Sequence, residues 1–95
     1  MNAQATELRS ESAIKRKLSD WLGEFLSRSR QAGKRHNRHS VAQMLGITDS
    51  CLSQYTNPSN SKKAPWEFQV KMCFLVGKSI IELHPELNEI RIQHF

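Results

Sequence analysis

Residues 38 to 55 read Arg38-His39-Ser40-Val41-Ala42-Gln43-Met44-Leu45-Gly46-Ile47-Thr48-Asp49-Ser50-Cys51-Leu52-Ser53-Gln54-Tyr55. The stretch predicts two short helices joined by a tight turn. Val41, Ala42 and Leu45 recur at helical spacing and share one face of the first helix. Gly46 follows, where a residue without Cβ lets the chain take φ > 0 and turn sharply. Thr48 offers an oxygen to cap the second helix, and Asp49 suits its first turn, where backbone N–H groups are unpaired. In that second helix Leu52 and Tyr55 face inward, while Asp49, Ser50, Ser53 and Gln54 face out. A small residue at 42 and glycine at 46 let the two helices cross closely. The expected unit is a helix-turn-helix whose outer face carries short polar groups able to reach base edges.

Charge surrounds this unit asymmetrically. The chain has 95 residues and a net charge of +5. From Arg28 to Lys63 there are seven Lys/Arg (Arg28, Arg30, Lys34, Arg35, Arg38, Lys62, Lys63) against one acid, Asp49, a net of +6 that leaves the remainder nearly neutral. Such a field suits a polyanion, because neutralising phosphates supplies most non-specific affinity for DNA. The Lys34-Arg35-His36-Asn37-Arg38-His39 run reads as an arm meeting phosphate. Thr56-Asn57-Pro58-Ser59-Asn60-Ser61-Lys62-Lys63 is dense in turn formers. It lies just beyond the reading helix, where amides, hydroxyls and lysines can clasp a sugar-phosphate backbone. Lys34, Arg35, Arg38, His39, Asn57, Asn60, Lys62 and Lys63 are therefore the expected phosphate contacts. Asp49, Ser50, Ser53 and Gln54 are the expected base-reading set. Among these Gln54 has the strongest chemistry, since an amide pairs with both N6 and N7 of adenine.

Arg38–Tyr55, with the Asn57-Pro58 loop and the helix opening at Ala64-Pro65-Trp66, resembles the helix-turn-helix of the lambda-repressor-like (Cro/C1-type) superfamily of phage and bacterial regulators. The likeness extends especially to the phage CII activator group and covers residues 38 to about 84. It implies a second helix lying in the major groove with Asp49, Ser50 and Gln54 at base-reading positions. Arg38 would then touch phosphate or brace a reading residue, and the protein would serve a phage or mobile-element circuit. Asp49 departs from the family pattern, where many members carry glutamine. A carboxylate only accepts, for instance from cytosine N4, or serves as a helix N-terminal charge.

Working outward, residues 1–10 are expected to be flexible. From about Glu11 to Arg30 the residues Ile14, Leu18, Trp21, Leu22, Phe25 and Leu26 form one apolar stripe, the mark of a core-facing helix. Ser12 is a candidate cap. The opposite face is assigned Lys15, Arg16, Asp20, Glu24 and Arg28, and its two acids argue against a membrane-surface helix. Gly33 ends the helix.

Ala64 to Gly77 is expected to be a helix apolar on more than one side. One stripe (Trp66, Val70, Cys73, Phe74, Gly77) is assigned to the core. A second (Phe68, Met72, Leu75) points elsewhere and must be covered, either under another segment or against a second subunit, because surplus apolar surface must be buried. Ser79–Leu83 reads as a short helix stopped before Pro85. The tail from Pro85 to Phe95 reads either as a helix or, over Glu89–Gln93, as a half-buried strand. Phe68, Met72, Leu75, Ile90, Ile92 and Phe95 are the expected oligomerisation surface of a homodimer.

The fold expected is therefore all-α, a small bundle of about five helices. Residues 11–84 form one DNA-binding domain, and 85–95 form a docking or oligomerisation tail. At 38% hydrophobic and 24% charged the chain is globular in composition. No apolar run approaches the roughly 20 residues a membrane span requires, and the polar N-terminus lacks a signal-peptide centre. Both point to the cytoplasm. Cys51 and Cys73 make no metal signature and read as free thiols. His36 and His39, three apart and expected to have no carboxylate or cysteine beside them, read as solvated residues near phosphate rather than ligands.

No nucleophile elbow, phosphate-cradling glycine loop or carboxylate pair is present, so neither an enzyme nor a cofactor is expected. The leading expectation is a sequence-specific double-stranded-DNA-binding transcriptional regulator. The competing one is an antitoxin-like or adaptor module whose apolar C-terminal part captures a protein. RNA binding lacks an aromatic platform, since Tyr55, Trp66 and Phe68 look committed to packing.

Overall fold

A computed structural model describes residues 11–87. Among these the chain is all helical, a small bundle of five helices without strands. The expectations for residues 1–10 and for Ile90, Ile92 and Phe95 lie outside the described residues.

Helix α1 spans Glu11–Gln31, roughly 30 Å at 1.5 Å per residue. Ile14, Leu18, Trp21 and Leu22 are buried, and Phe25 and Leu26 pack at the margin of the core. Glu11 in the first turn and Arg28 and Arg30 in the last complement the helix dipole. The end is closed by Gly33 at φ 80°, where Lys34 N–H reaches back to the Ser29 carbonyl at 2.8 Å.

One assignment on this helix is corrected. Lys15 is not on the solvent face but 1% exposed, and Ser29 is buried as well. Seven positions, close to two full turns, separate Lys15 from Leu22 and Leu22 from Ser29, so all three fall on the buried side.

Helices α2 (Arg38–Leu45) and α3 (Asp49–Thr56) follow. Asn37 caps α2, accepting from Ser40 N–H at 2.9 Å, while the Ser40 hydroxyl accepts from Asn37 N–H at 2.9 Å. This reciprocal box satisfies two donors that a helix start would otherwise leave unpaired. Gly46 at φ 74° ends α2, and Ile47 N–H bonds the Ala42 carbonyl at 3.0 Å. Thr48 then caps α3 by accepting from Cys51 N–H at 3.1 Å. Val41, Ala42, Leu45 and Leu52 are buried as their spacing requires.

Helix α4 (Trp66–Val76) starts after Pro65 without a side-chain cap and ends at Gly77, φ 74°. A one-turn α5 (Ile80–Leu83) carries its own capping box from Ser79 and Glu82 and buries Leu83. Helix α1 packs on α3 and α4, α2 on α3 and α4, and α5 on α4.

On α4 the assigned faces are largely exchanged, Cys73 being the one residue of the assigned core stripe that is buried. Phe68, Gln69, Met72, Cys73 and Val76 are buried, whereas Trp66 is 55% and Phe74 85% exposed. The oligomerisation role of Phe68 and Met72 is thereby overturned, because both are spent in the domain's own core. Leu75 is half-buried against that core. The buried Gln69 is fully engaged: its Nε2 donates to the Ala64 carbonyl at 2.9 Å, and its Oε1 accepts from His84 Nε2 at 2.7 Å. That pairing ties the chain after α5 back onto α4 at little cost for a buried amide.

Candidate nucleic-acid interface

The outer face of α3 presents Asp49, Ser50 and Ser53 to solvent, with Gln54 half-buried. The expected base-reading residues are therefore brought together on one short helix. Leu52, which is buried, anchors the opposite side.

Two residues at the start of α2 reach across to α3. His39 Nδ1 lies 2.9 Å from both carboxylate oxygens of Asp49, and each side chain is 62% exposed. A carboxylate only accepts, so Nδ1 carries the proton in this pair. Arg38 Nη2 donates to Thr56 Oγ1 at 3.4 Å, and Thr56 Oγ1 donates to the Leu52 carbonyl at 2.8 Å. The two ends of α3 are thus each braced by a neighbouring residue of α2. His39, expected as a phosphate contact, thus lies against Asp49 of the expected base-reading set.

The loop after α3 is shaped rather than loose. Asn57 Oδ1 accepts from Ser59 N–H at 2.9 Å, and Asn60 Oδ1 accepts from Lys62 N–H at 2.7 Å. These are two local turns of the kind Asn favours. The side-chain carbonyls of Asn57 and Asn60 are therefore committed to the loop's own form.

The first turns of α1 hold the same loop from beneath. Lys15 Nζ donates to the Asn60 carbonyl at 2.9 Å, Ser12 Oγ donates to the Pro58 carbonyl at 3.4 Å, and Ala64 N–H donates to Glu11 Oε1 at 3.2 Å. Ser12 thus serves the loop and lies inside the helix it was expected to cap. Lys62 and Lys63 remain exposed at the loop's end.

Lys34 and Arg35 are exposed in the connector before α2. His36 is not a solvated residue: it is half-buried and stacks on Phe25, ring centroids 5.7 Å apart. Among the described residues no cluster of three or more His, Cys, Asp or Glu is placed to hold a metal. No described helix is long and apolar enough to cross a membrane.

Both cysteines are free thiols. Hydrogen bonding to Thr48 and Tyr55 lowers the Cys51 thiol from its ordinary value, while burial pushes Cys73 up.

Sequence reasoning missed Lys15, Thr56 and the pairing of His39 with Asp49. The i+7 relation of Lys15 to Leu22 was a usable signal. The two cross-helix pairs depend on how α2 and α3 are packed, and no spacing along the chain announces them. No protein-family model matches the chain, and comparison with curated proteins and with solved structures finds no match.

Proposed function

We propose that this chain is a cytoplasmic, sequence-specific double-stranded-DNA-binding transcriptional regulator of the lambda-repressor-like kind, acting as a homodimer. In this reading α2 and α3 form a helix-turn-helix and α3 enters the major groove. The observation that carries it is the exposed polar face of α3 set inside the basic span from Arg28 to Lys63, whose one carboxylate is paired with a histidine. Lys34, Arg35, Arg38, Lys62 and Lys63 would anchor phosphates, and Ser50, Ser53, Gln54 and Asp49 would discriminate bases. A reading helix this short covers only about four or five base pairs. Two copies on half-sites about 34–36 Å apart would supply useful specificity.

The competing reading, a module that captures a protein partner, is favoured by a different observation. Phe74, at 85% exposed, and Met44, at 47%, flank the half-buried Leu75 in one shallow apolar depression. This surface also replaces Phe68 and Met72 as the place where a second copy would dock.

Selection from random duplex DNA at near-physiological salt separates the two readings. A regulator enriches a motif with two spaced half-sites. Absence of any enriched motif, with helical content intact, removes the DNA-reading proposal. Gln54→Ala should relax choice at one position by about 1–3 kcal/mol, while Lys62→Ala should weaken all sequences alike.

A further inference from the structure

The one acid in the basic span sits at the first position of α3, where a carboxylate facing DNA would repel phosphate. Its partner is the residue that changes that expectation. His39 comes from a separate helix, and its Nδ1 is shared between the two Asp49 oxygens at 2.9 Å each. The contact restricts the Asp49 rotamer and places a donor against its charge. With the side chain 62% exposed, the carboxylate keeps lone pairs beyond those that His39 occupies. Those lone pairs accept and cannot donate.

The major-groove edges differ in what they offer such an acceptor. Guanine presents two acceptors, N7 and O6, and thymine an acceptor and a methyl group. Adenine presents its N6 donor beside the N7 acceptor, and cytosine presents the N4 donor alone. An aimed carboxylate therefore meets attraction only at cytosine, mixed character at adenine and repulsion at guanine and thymine. Specificity arises from the bases it rejects as much as from the one it accepts.

We propose that His39 and Asp49 act as one base-reading unit, in which His39 is a positioning residue that aims the Asp49 carboxylate at a cytosine N4 amine. This inference rests on the DNA-binding reading above. It commits Asp49 to one of the two roles that the sequence leaves open and assigns His39 a role other than phosphate contact.

The test is selection from random duplex DNA followed by competition binding on the enriched site, with wild type, Asp49→Asn, His39→Ala and His39→Gln compared. Helical content is checked for each. The wild type should enrich cytosine at one position per half-site. Asp49→Asn replaces a pure acceptor by an amide that also donates, so the preference at that position alone should move toward adenine. His39→Ala should cut discrimination there about tenfold and leave other positions unchanged. His39→Gln, which keeps a donor, should recover most of it.

A wild-type motif that persists unchanged in Asp49→Asn and His39→Ala would overturn the paired reader while leaving DNA recognition standing. If the wild type enriches no motif, both proposals fall together.

Discussion

Helices α3 and α4 are close in length and lie in one small bundle, yet they differ in how their faces are specified. Helix α3 mixes short polar residues with Leu52, so only one orientation buries the apolar group and exposes Asp49, Ser50 and Ser53. Helix α4 is apolar almost all round, and two opposed stripes satisfy the periodicity equally well. Its neighbours decide instead. Helices α1, α2 and α5 pack on it and bury Phe68, Met72 and Val76, which leaves Trp66 and Phe74 outward. A face is written into a helix by contrast along the chain, and where contrast is missing tertiary packing supplies it.

The sharpest way to break this comparison is on α4 itself. Phe68→Ala should cost about 3–5 kcal/mol in urea unfolding, the usual penalty for emptying a core aromatic site. Phe74→Ala should stay within about 0.5 kcal/mol, as surface changes do. Equal losses at the two positions would mean that the faces are assigned wrongly.

A smaller effect tests the platform beneath the loop after α3. Lys15→Met keeps most of the buried volume but leaves the Asn60 carbonyl without its partner. It should cost about 1–3 kcal/mol and speed amide exchange across residues 57–63 while leaving α2 protected.

Next comes the turn between α2 and α3. Gly46 sits at φ 74° with nothing within 4 Å of where a Cβ would stand. Gly46→Ala should therefore cost about 1–2 kcal/mol from backbone strain alone. A loss near that of Phe68→Ala would point to a steric clash instead.

The mildest test is chemical. Cys51, half-exposed with a thiol lowered by its Thr48 and Tyr55 hydrogen bonds, should alkylate at least several-fold faster than Cys73. Cys73 is buried and its thiol raised. Mass spectrometry of partly labelled protein reads the order directly.

The same contrast explains what was legible before the fold was known. The buried set Val41, Ala42, Leu45 and Leu52, the Gly46 turn and the Thr48 cap follow from local spacing and backbone chemistry. The all-α class follows from the stripe of α1. Lys15 has the charge of a surface residue but the helical position of a buried one, and its amine finds the Asn60 carbonyl. Thr56 reads as the first residue of the polar loop, whereas it is the buried last residue of α3 and its hydroxyl joins Arg38 to the backbone of that helix. The His39–Asp49 contact spans two helices whose crossing is set by packing, so neither residue signals the other along the chain.

The Lys15 bond to Asn60 has a consequence for how the domain is assembled. Its two ends are 45 positions apart, with α2, α3 and the turn between them enclosed in the span. Contacts of such long separation form only after the enclosed segments have become compact. A fragment beginning at Asn37 could retain the α2 capping box and the Gly46 turn, since both are local. It would lack the buried amine that fixes the loop's far side, so Lys62 and Lys63 would have no set distance from α3. The smallest unit that holds its basic loop in register begins at the first turn of α1.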